Sequence, residues 1–159
     1  MSGLSSDWEL PDPAATASLG AAIARAFDRR PLVVYLQGDL GAGKTSLARG
    51  LLRALGHDGA VRSPTYTLME GYSLASRRVL HLDLYRMSDP EELEYLGLRE
   101  EVGDADLILV EWPEHGRGAL PDADLLVELR DHAAGRLAGL RALSAAGRDL
   151  LARLAAERG

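Results

Sequence analysis

The chain has 159 residues, of which 47% are apolar and 26% charged, as expected for one soluble domain with a hydrophobic core. The formal net charge is −6 and the arginines are scattered, which disfavours tight, direct binding to bare DNA or RNA. The absence of cysteine excludes disulfides, thiolate metal sites and cysteine nucleophiles. We see no signal-peptide pattern and no apolar run near the roughly 18–20 residues of a membrane span, so a cytoplasmic setting is the simplest expectation.

The pattern of apolar residues predicts strands that alternate with helices. Asp12 followed by Pro13 is typical of a helix N-cap and first turn, and the apolar run LVVYLQ is typical of a buried parallel strand. In chain order the sequence predicts a strand at 8–10, a helix at 13–27, a strand at 32–37, a glycine-rich loop, a helix at 43–55, strands at 65–72 and 78–83, a helix from 88 to about 97, strands at 107–110, 125–129 and 136–143, and a helix at 145–158. This alternation favours an α/β fold with a mostly parallel sheet, in a single domain over residues 1–159.

The sharpest functional signal is the segment GDLGAGKT at residues 38–45, which satisfies the Walker A pattern G-x-x-x-x-G-K-[ST]. Glycines let such a loop curl so that its backbone N–H groups face phosphate oxygens, and the following helix adds the positive end of its dipole. Lys44 is expected to reach the β- and γ-phosphates of ATP, and Thr45 to give its hydroxyl to Mg²⁺. A chance match has odds of roughly one in a hundred or less from average composition. The predicted strand before the loop and helix after it favour the functional interpretation, as does Lys44 being the only lysine among 18 basic residues.

Two acids are candidates for a second anchor of the Mg²⁺ ion. Glu111 directly follows the predicted strand at 107–110, and Asp83 ends the predicted strand at 78–83. Acids in such positions lie at the ligand-binding edge of a parallel sheet. Each acid has an ordinary alternative, which is to cap a loop or to pair with an arginine.

Several other residues are open to two interpretations. The Ser-Pro-Thr segment at 63–65 lies where nucleotide switches carry a hydroxyl that senses the γ-phosphate, but it is also common turn chemistry. Trp112 is either a core residue or an exposed aromatic that contacts a partner. The histidines show no metal-ligand spacing and are interpreted as structural or surface residues; they are His57, His81, His115 and His132.

The type of nucleotide-binding protein is narrowed by the motifs that are missing. A Ras-like GTPase reads guanine through Asn-Lys-x-Asp, whereas the only lysine here is Lys44. No basic cluster resembles the substrate lid of a small-molecule kinase, and the chain is short for an oligomeric ATPase with an added helical domain. A small ATPase or a nucleotide-gated binding module remains, and a small-molecule phosphotransferase is the alternative that the Walker A pattern alone suggests.

Five segments, in order, closely resemble the TsaE (YjeE) family: GDLGAGKTSLARG at 38–50, SPTYTLMEGY at 63–72, HLDLYRM at 81–87, DPEELEYLGLRE at 89–100 and LVEWPEHG at 109–116. The resemblance covers about residues 8–143. It implies a P-loop NTPase fold whose mostly parallel central sheet is flanked by helices and extended by antiparallel strands. It also implies a weak ATPase, with ATP and Mg²⁺ as cofactors, that supports N6-threonylcarbamoyladenosine formation in tRNAs reading ANN codons. The implied partners are the TsaD and TsaB proteins, with tRNA met only through that complex and no role for DNA or membranes.

The resemblance also implies roles for individual residues. Lys44 and Thr45 match the phosphate-binding lysine and the Mg²⁺ ligand, and Glu111 matches the Mg²⁺-binding acid. The implied catalytic residues are Asp83, Glu111 and Thr65, the last in a switch-like loop. Trp112 matches an aromatic linked to nucleotide or partner contact. The remaining implied nucleotide contacts are Gly41, Ala42, Gly43 and Ser46 in the loop, with looser matches at Asp12 and Arg136. Ser46 stands where many relatives have a second threonine, and it keeps the hydroxyl.

Overall fold

The computed structural model describes residues 5–28, 31–39, 41–61, 68–74 and 77–158. Their elements in chain order are β1 (Ser5–Leu10), α1 (Pro13–Ala26), β2 (Leu32–Gln37), α2 (Lys44–Ala54), β3 (Met69–Leu74), β4 (Arg77–Asp83), α3 (Glu91–Tyr95), α4 (Leu98–Asp104), β5 (Leu107–Glu111), a 3-10 turn (Pro113–Gly116), β6 (Leu125–His132), β7 (Gly135–Ala142) and α5 (Ala145–Arg158). Within these residues, no helix has the length and apolar character to cross a membrane.

The seven strands form one mixed sheet in the order β1-β7-β6-β2-β5-β4-β3. The four central strands β6, β2, β5 and β4 pair in parallel. The outer strands β1, β7 and β3 pair antiparallel with their neighbours. Parallel pairing is therefore confined to the centre of the sheet, rather than dominating the whole sheet as the alternation of elements predicts.

Helices cover both faces of the sheet, which explains why the central strands are apolar throughout. Strand residues alternate between faces. Leu107 and Leu109 of β5 pack in the cluster that contains residues of α1, α2 and α5, whereas Ile108 and Val110 pack in the cluster that contains residues of α3 and α4. A strand buried on both faces shows no polar alternation, so LILV is a continuous apolar run.

The chemistry at the start of α1 and α2 follows the sequence prediction. The Asp12 side chain accepts a hydrogen bond of 2.8 Å from the backbone N–H of Ala15, and Pro13 occupies the first helical position, where its missing N–H costs nothing. Helix α2 begins at Lys44, after Gly43 with φ of 106°. That left-handed conformation suits glycine because it lacks a Cβ.

Strands β1 and β6 each extend three residues beyond their predicted bounds, and two further predicted elements differ more from the structure. The helix expected from residue 88 to 97 is the short α3, and a further helix, α4, begins after a left-handed Gly97 with φ of 75°. The polar stretch that forms α4 gave no periodic apolar signal. The strand expected at 65–72 is described from Met69 onward, while residues 62–67 lie outside the described part of the chain.

Candidate functional site

The glycine-rich loop joins the carboxyl end of β2 to the amino end of α2. Gly41 and Gly43 have φ of 80° and 106°, values that other residues rarely adopt. The loop therefore turns sharply enough to bring Lys44 and Thr45 into the first turn of α2. The first N–H groups of a helix have no partner within it, so a loop of this geometry offers donors to an anion.

Lys44 is buried, with only 5% of its surface exposed. Its Nζ donates a hydrogen bond to the carbonyl oxygen of Gly38 and lies 3.9 Å from the centre of the Trp112 ring. Burial lowers the pKa of the Lys44 amino group, while the negative charges of Glu111 and Asp83 act in the opposite direction. The ammonium group is thus held, partly desolvated, between the loop and two acids.

The two predicted acids lie side by side. Asp83 at the end of β4 is paired in register with Glu111 at the end of β5, and both are buried. The Asp83 carboxylate accepts a hydrogen bond of 3.0 Å from the backbone N–H of Tyr85. The carboxyl ends of parallel strands meet at one edge of the sheet, and this is the edge that carries the glycine-rich loop.

A cavity of about 500 Å³, here called the loop cavity, brings most of the predicted site residues together. Its lining includes Gly41, Gly43, Lys44, Thr45, Ser46, Asp83, Glu111 and Trp112. The Thr45 hydroxyl and the carboxylates of Asp83 and Glu111 are hard oxygen donors, which Mg²⁺ prefers. These residues therefore fit a Mg²⁺ ion that takes its remaining ligands from phosphates and water. Within the described residues, no group of three His, Asp or Glu side chains is arranged to hold a metal.

Asp12 and Arg136 lie at a second, smaller cavity of about 190 Å³, here called the side cavity. Ser46 and Gly43 also line it, so it continues from the loop cavity. The Arg136 guanidinium donates to the carbonyl oxygens of Ala42 (Nε, 3.2 Å) and Gly41 (Nη2, 2.9 Å). Arg136 thus fastens the loop to β7, a role that the sequence alone did not predict.

Trp112 combines the two interpretations that its sequence left open. The side chain is half-buried and packs against the core cluster next to α3 and α4, yet it also lines the loop cavity. Its backbone is left-handed, with φ of 57°. Thr65, the third predicted catalytic residue, lies outside the described residues.

One contact of a predicted site residue was not expected from the sequence. His81, interpreted there as structural or surface, is fully buried in β4, with its Nε2 2.7 Å from Glu111 Oε2. Its spacing offered a signal, because residues two apart in a strand share a face and His81 lies two residues before Asp83. The sequence spacing that is typical of metal-binding histidines does not identify a histidine that forms a hydrogen bond with a carboxylate.

Comparison with known proteins places the chain among relatives of one kind. A family model described as "Threonylcarbamoyl adenosine biosynthesis protein TsaE" matches residues 10–138. Proteins named "tRNA threonylcarbamoyladenosine biosynthesis protein TsaE" are similar to this chain in several bacteria. The Haemophilus influenzae protein is 53% identical over 100 residues, which span 63% of this chain and 63% of that protein, less than two thirds of its length. The Bacillus subtilis protein is 36% identical over 123 residues, 77% of this chain and 76% of that protein.

A solved structure agrees over nearly the whole length. The crystal structure of Bacillus subtilis YdiB superposes with a TM-score of 0.82 and 27% sequence identity, covering 98% of this chain and 97% of that one. The family match includes the glycine-rich loop, both acids and Arg136. The chain therefore belongs to the TsaE family.

Proposed function

We propose that this protein is a Mg-ATP-binding, weakly hydrolysing accessory subunit for N6-threonylcarbamoyladenosine formation at position 37 of tRNAs that read ANN codons. It would act in the cytoplasm with the TsaD–TsaB pair and meet tRNA only through that complex. The names of its relatives support the pathway. The observation that carries the nucleotide role is the buried Lys44 beside the glycine-rich loop, facing the paired acids Asp83 and Glu111. The same arrangement supports a P-loop NTPase fold.

The proposed binding mode follows from the two connected cavities. Backbone N–H groups of the loop and of the first turn of α2 would hold the phosphates, and Lys44 would contact the β- and γ-phosphates. Thr45 and Glu111 would hold Mg²⁺, which when bound neutralises charge on the β- and γ-phosphates. The nucleoside would extend past Ser46 into the side cavity, between Asp12 and Arg136.

In the proposed reaction, water attacks the γ-phosphorus of ATP and the bond to the β,γ-bridging oxygen breaks, giving ADP and inorganic phosphate. Asp83, which is buried beside Glu111, would orient either that water or a water in the Mg²⁺ shell. Thr65, which the family resemblance assigns to a switch-like loop, is proposed to contact the γ-phosphate. We propose that hydrolysis is slow until the partners close over the loop cavity. The net charge of −6 suits a subunit that works through protein partners rather than by gripping tRNA.

A small-molecule phosphotransferase is the second candidate. A cavity of about 630 Å³, here called the outer cavity, is lined by Gly38 and Asp39 and shares Gly41 and Trp112 with the loop cavity, and an acceptor would fit there. A phosphotransferase would move the γ-phosphoryl group to a metabolite instead of water. Labelled ATP incubated with metabolite pools separates the two candidates by the chemical identity of the labelled product.

The main experiment measures ATP hydrolysis and multiple-turnover tRNA modification with purified TsaD–TsaB pair, tRNA and either wild-type or variant protein. Lys44→Ala should abolish nucleotide binding, and Glu111→Gln and Asp83→Asn should retain nucleotide while losing hydrolysis and turnover. If both acid variants support normal modification, the protein is a nucleotide-dependent binding module. An ATPase rate that is the same with and without the partners would contradict the proposed coupling.

A further inference from the structure

His81 and Glu111 form a buried pair next to the proposed metal site. The two side chains lie on neighbouring parallel strands, with His81 Nε2 2.7 Å from Glu111 Oε2 and almost no surface exposed on either side chain. Register places Glu111 directly opposite Asp83, and His81 lies two residues earlier on the same face of β4. The Glu111 carboxylate therefore lies next to Asp83 at the loop cavity, and His81 forms a hydrogen bond with it inside the fold.

The two ring nitrogens of His81 have different surroundings. Nδ1 has no hydrogen-bond partner among the residues that the structure describes. A carboxylate accepts hydrogen bonds, so the Nε2–H of His81 is the donor to Glu111. His81 thus makes its one side-chain hydrogen bond, within the described residues, to a single oxygen of Glu111.

This arrangement is poor as a purely structural device. A buried nitrogen without a partner costs free energy, and an apolar side chain would fill this position without that cost. The buried Glu111 carboxylate, in turn, needs a donor, and the ammonium group of Lys44 is close enough to feel its charge. Without the hydrogen bond from His81, the Glu111 side chain would be free to pair with Lys44. That pairing would compete with the phosphates for the Lys44 ammonium group.

We propose that His81 is a positioning residue for the Mg²⁺-nucleotide site: its Nε2–H holds one oxygen of Glu111 inside the fold and thereby keeps the other for the metal. The proposal rests on the function proposed above. Partners that orient a metal ligand in this way are typically worth 10–100-fold in metal affinity or activity. His81 itself touches neither nucleotide nor metal.

Three variants separate the hydrogen bond from the packing. His81→Leu removes the donor and fills the position with an apolar side chain. His81→Gln keeps an N–H donor at a similar distance from the backbone, whereas the shorter amide of His81→Asn does not reach Glu111. The His81→Asn protein therefore serves as the polar comparison if His81→Leu does not fold.

The first measurement is the Mn²⁺ affinity of the ATP-loaded protein, determined by electron paramagnetic resonance. His81→Leu and His81→Asn should weaken Mn²⁺ binding by about 10–100-fold, and His81→Gln by much less. In a Glu111→Gln background, His81→Leu should add little, because His81 acts only through that carboxylate. Full Mn²⁺ affinity in folded His81→Leu protein, or additive losses in the double variant, would overturn the proposal.

The second measurement needs neither metal nor nucleotide. In protein labelled with ¹⁵N-histidine, the His81 Nε2–H should give a slowly exchanging, downfield proton signal that disappears in Glu111→Ala protein. No such signal in the wild-type protein would refute the hydrogen bond on which the proposal stands.

If wild-type protein shows this signal but binds no Mg-nucleotide, even with the TsaD–TsaB pair, the proposed function fails and the positioning role fails with it. If wild-type protein binds Mg-nucleotide normally and His81→Leu does so equally well, only the role of His81 fails.

Discussion

The ammonium group of Lys44 lies against the face of the Trp112 ring, 3.9 Å from its centre. Trp112 keeps a left-handed backbone, which costs a residue with a Cβ about 1–2 kcal/mol. The ring is held by packing against Tyr85 and His115, with centroid distances of 5.0 and 5.6 Å. His115 is itself fixed, since its Nδ1 donates to the carbonyl oxygen of Leu84 at 2.8 Å. The Trp112 ring that Lys44 contacts is therefore held in position by Tyr85 and His115.

Trp112 is predicted to report nucleotide binding through its fluorescence. Lys44 must change its contacts to reach the phosphates, and this alters the charge next to the indole ring. The only other tryptophan, Trp8, packs under Arg158 and does not line the loop cavity. In Trp8→Phe protein, we expect ATP to change the emission intensity with a saturable dose dependence.

The matched control is Trp112→Phe, which keeps Trp8 and should give no response to ATP. Lys44→Ala in the Trp8→Phe background should also be silent. A nucleotide response that follows Trp8 instead of Trp112 would show that the ligand enters elsewhere.

Lys44 is predicted to have a pKa below the ordinary lysine value of 10.5, because burial disfavours its charged form. It is the only lysine, so ¹⁵N-lysine labelling gives a single side-chain signal to titrate. Bound phosphates favour the ammonium and should raise this pKa. ATP affinity should therefore fall as the pH rises through the lowered pKa of the free protein, and binding should take up protons there. A Lys44 titration at or above 10.5 in the free protein would contradict this account.

The same shift predicts a pH dependence of stability. Between the lowered pKa of the folded state and 10.5, the unfolded chain binds more protons at Lys44 than the folded chain does. The free energy of unfolding of the wild-type protein should then rise with pH in this window, relative to Lys44→Met protein. Urea titrations of both proteins at a series of alkaline pH values measure the difference, and curves that stay parallel would rule it out.

Arg136 is predicted to support nucleotide binding by fixing the loop. Its guanidinium donates to the carbonyl oxygens of both Gly41 and Ala42, and each such bond is worth about 0.5–1.5 kcal/mol. Arg136→Ala should weaken ATP binding about tenfold, which corresponds to about 1.4 kcal/mol. Calorimetry measures this, with Arg99→Ala as the control because the Arg99 side chain is 87% exposed. Equal affinities of the two variants would show that the loop keeps its shape without Arg136.

The parts of the site that sequence could predict are those fixed by local chemistry. The glycine spacing before Lys44 identified the loop, and the capping pair Asp12-Pro13 identified the start of α1. Asp83 and Glu111 were correctly expected at one edge because each ends an apolar strand, and parallel strands end at the same side of a sheet. Each of these inferences needs only a few consecutive residues.

The parts that sequence could not predict depend on contacts between distant segments. The bonds of Arg136 to the loop join residues about 95 positions apart, and the bond between His81 and Glu111 spans 30. The antiparallel placement of β1 beside β7 likewise has no local cause. Helix α4 was missed for a different reason, since its polar sequence carries little apolar periodicity and begins only after the turn at Gly97.

Gly50 is predicted to be essential for the close packing of α2 on α1. A Cβ built at Gly50 would overlap the carbonyl oxygen of Ala17, which belongs to the rigid backbone of α1. Gly50→Ala must push the helices apart and should destabilise the protein by about 1–3 kcal/mol. Gly103→Ala is the matched control, because a Cβ at this position in α4 meets nothing within 4 Å.

Gly103→Ala should stabilise the protein by up to about 1 kcal/mol through the better helix propensity of alanine.

The two variants should also differ in function. Helix α2 begins at Lys44, so a shift of α2 in Gly50→Ala protein displaces the ammonium group and the loop, and ATP affinity should fall under conditions where that protein is fully folded. Gly103→Ala should bind ATP like the wild-type protein. A displaced α2 would carry Lys44 with it. If folded Gly50→Ala protein binds ATP with unchanged affinity, the geometry of the loop does not depend on the position of α2 against α1.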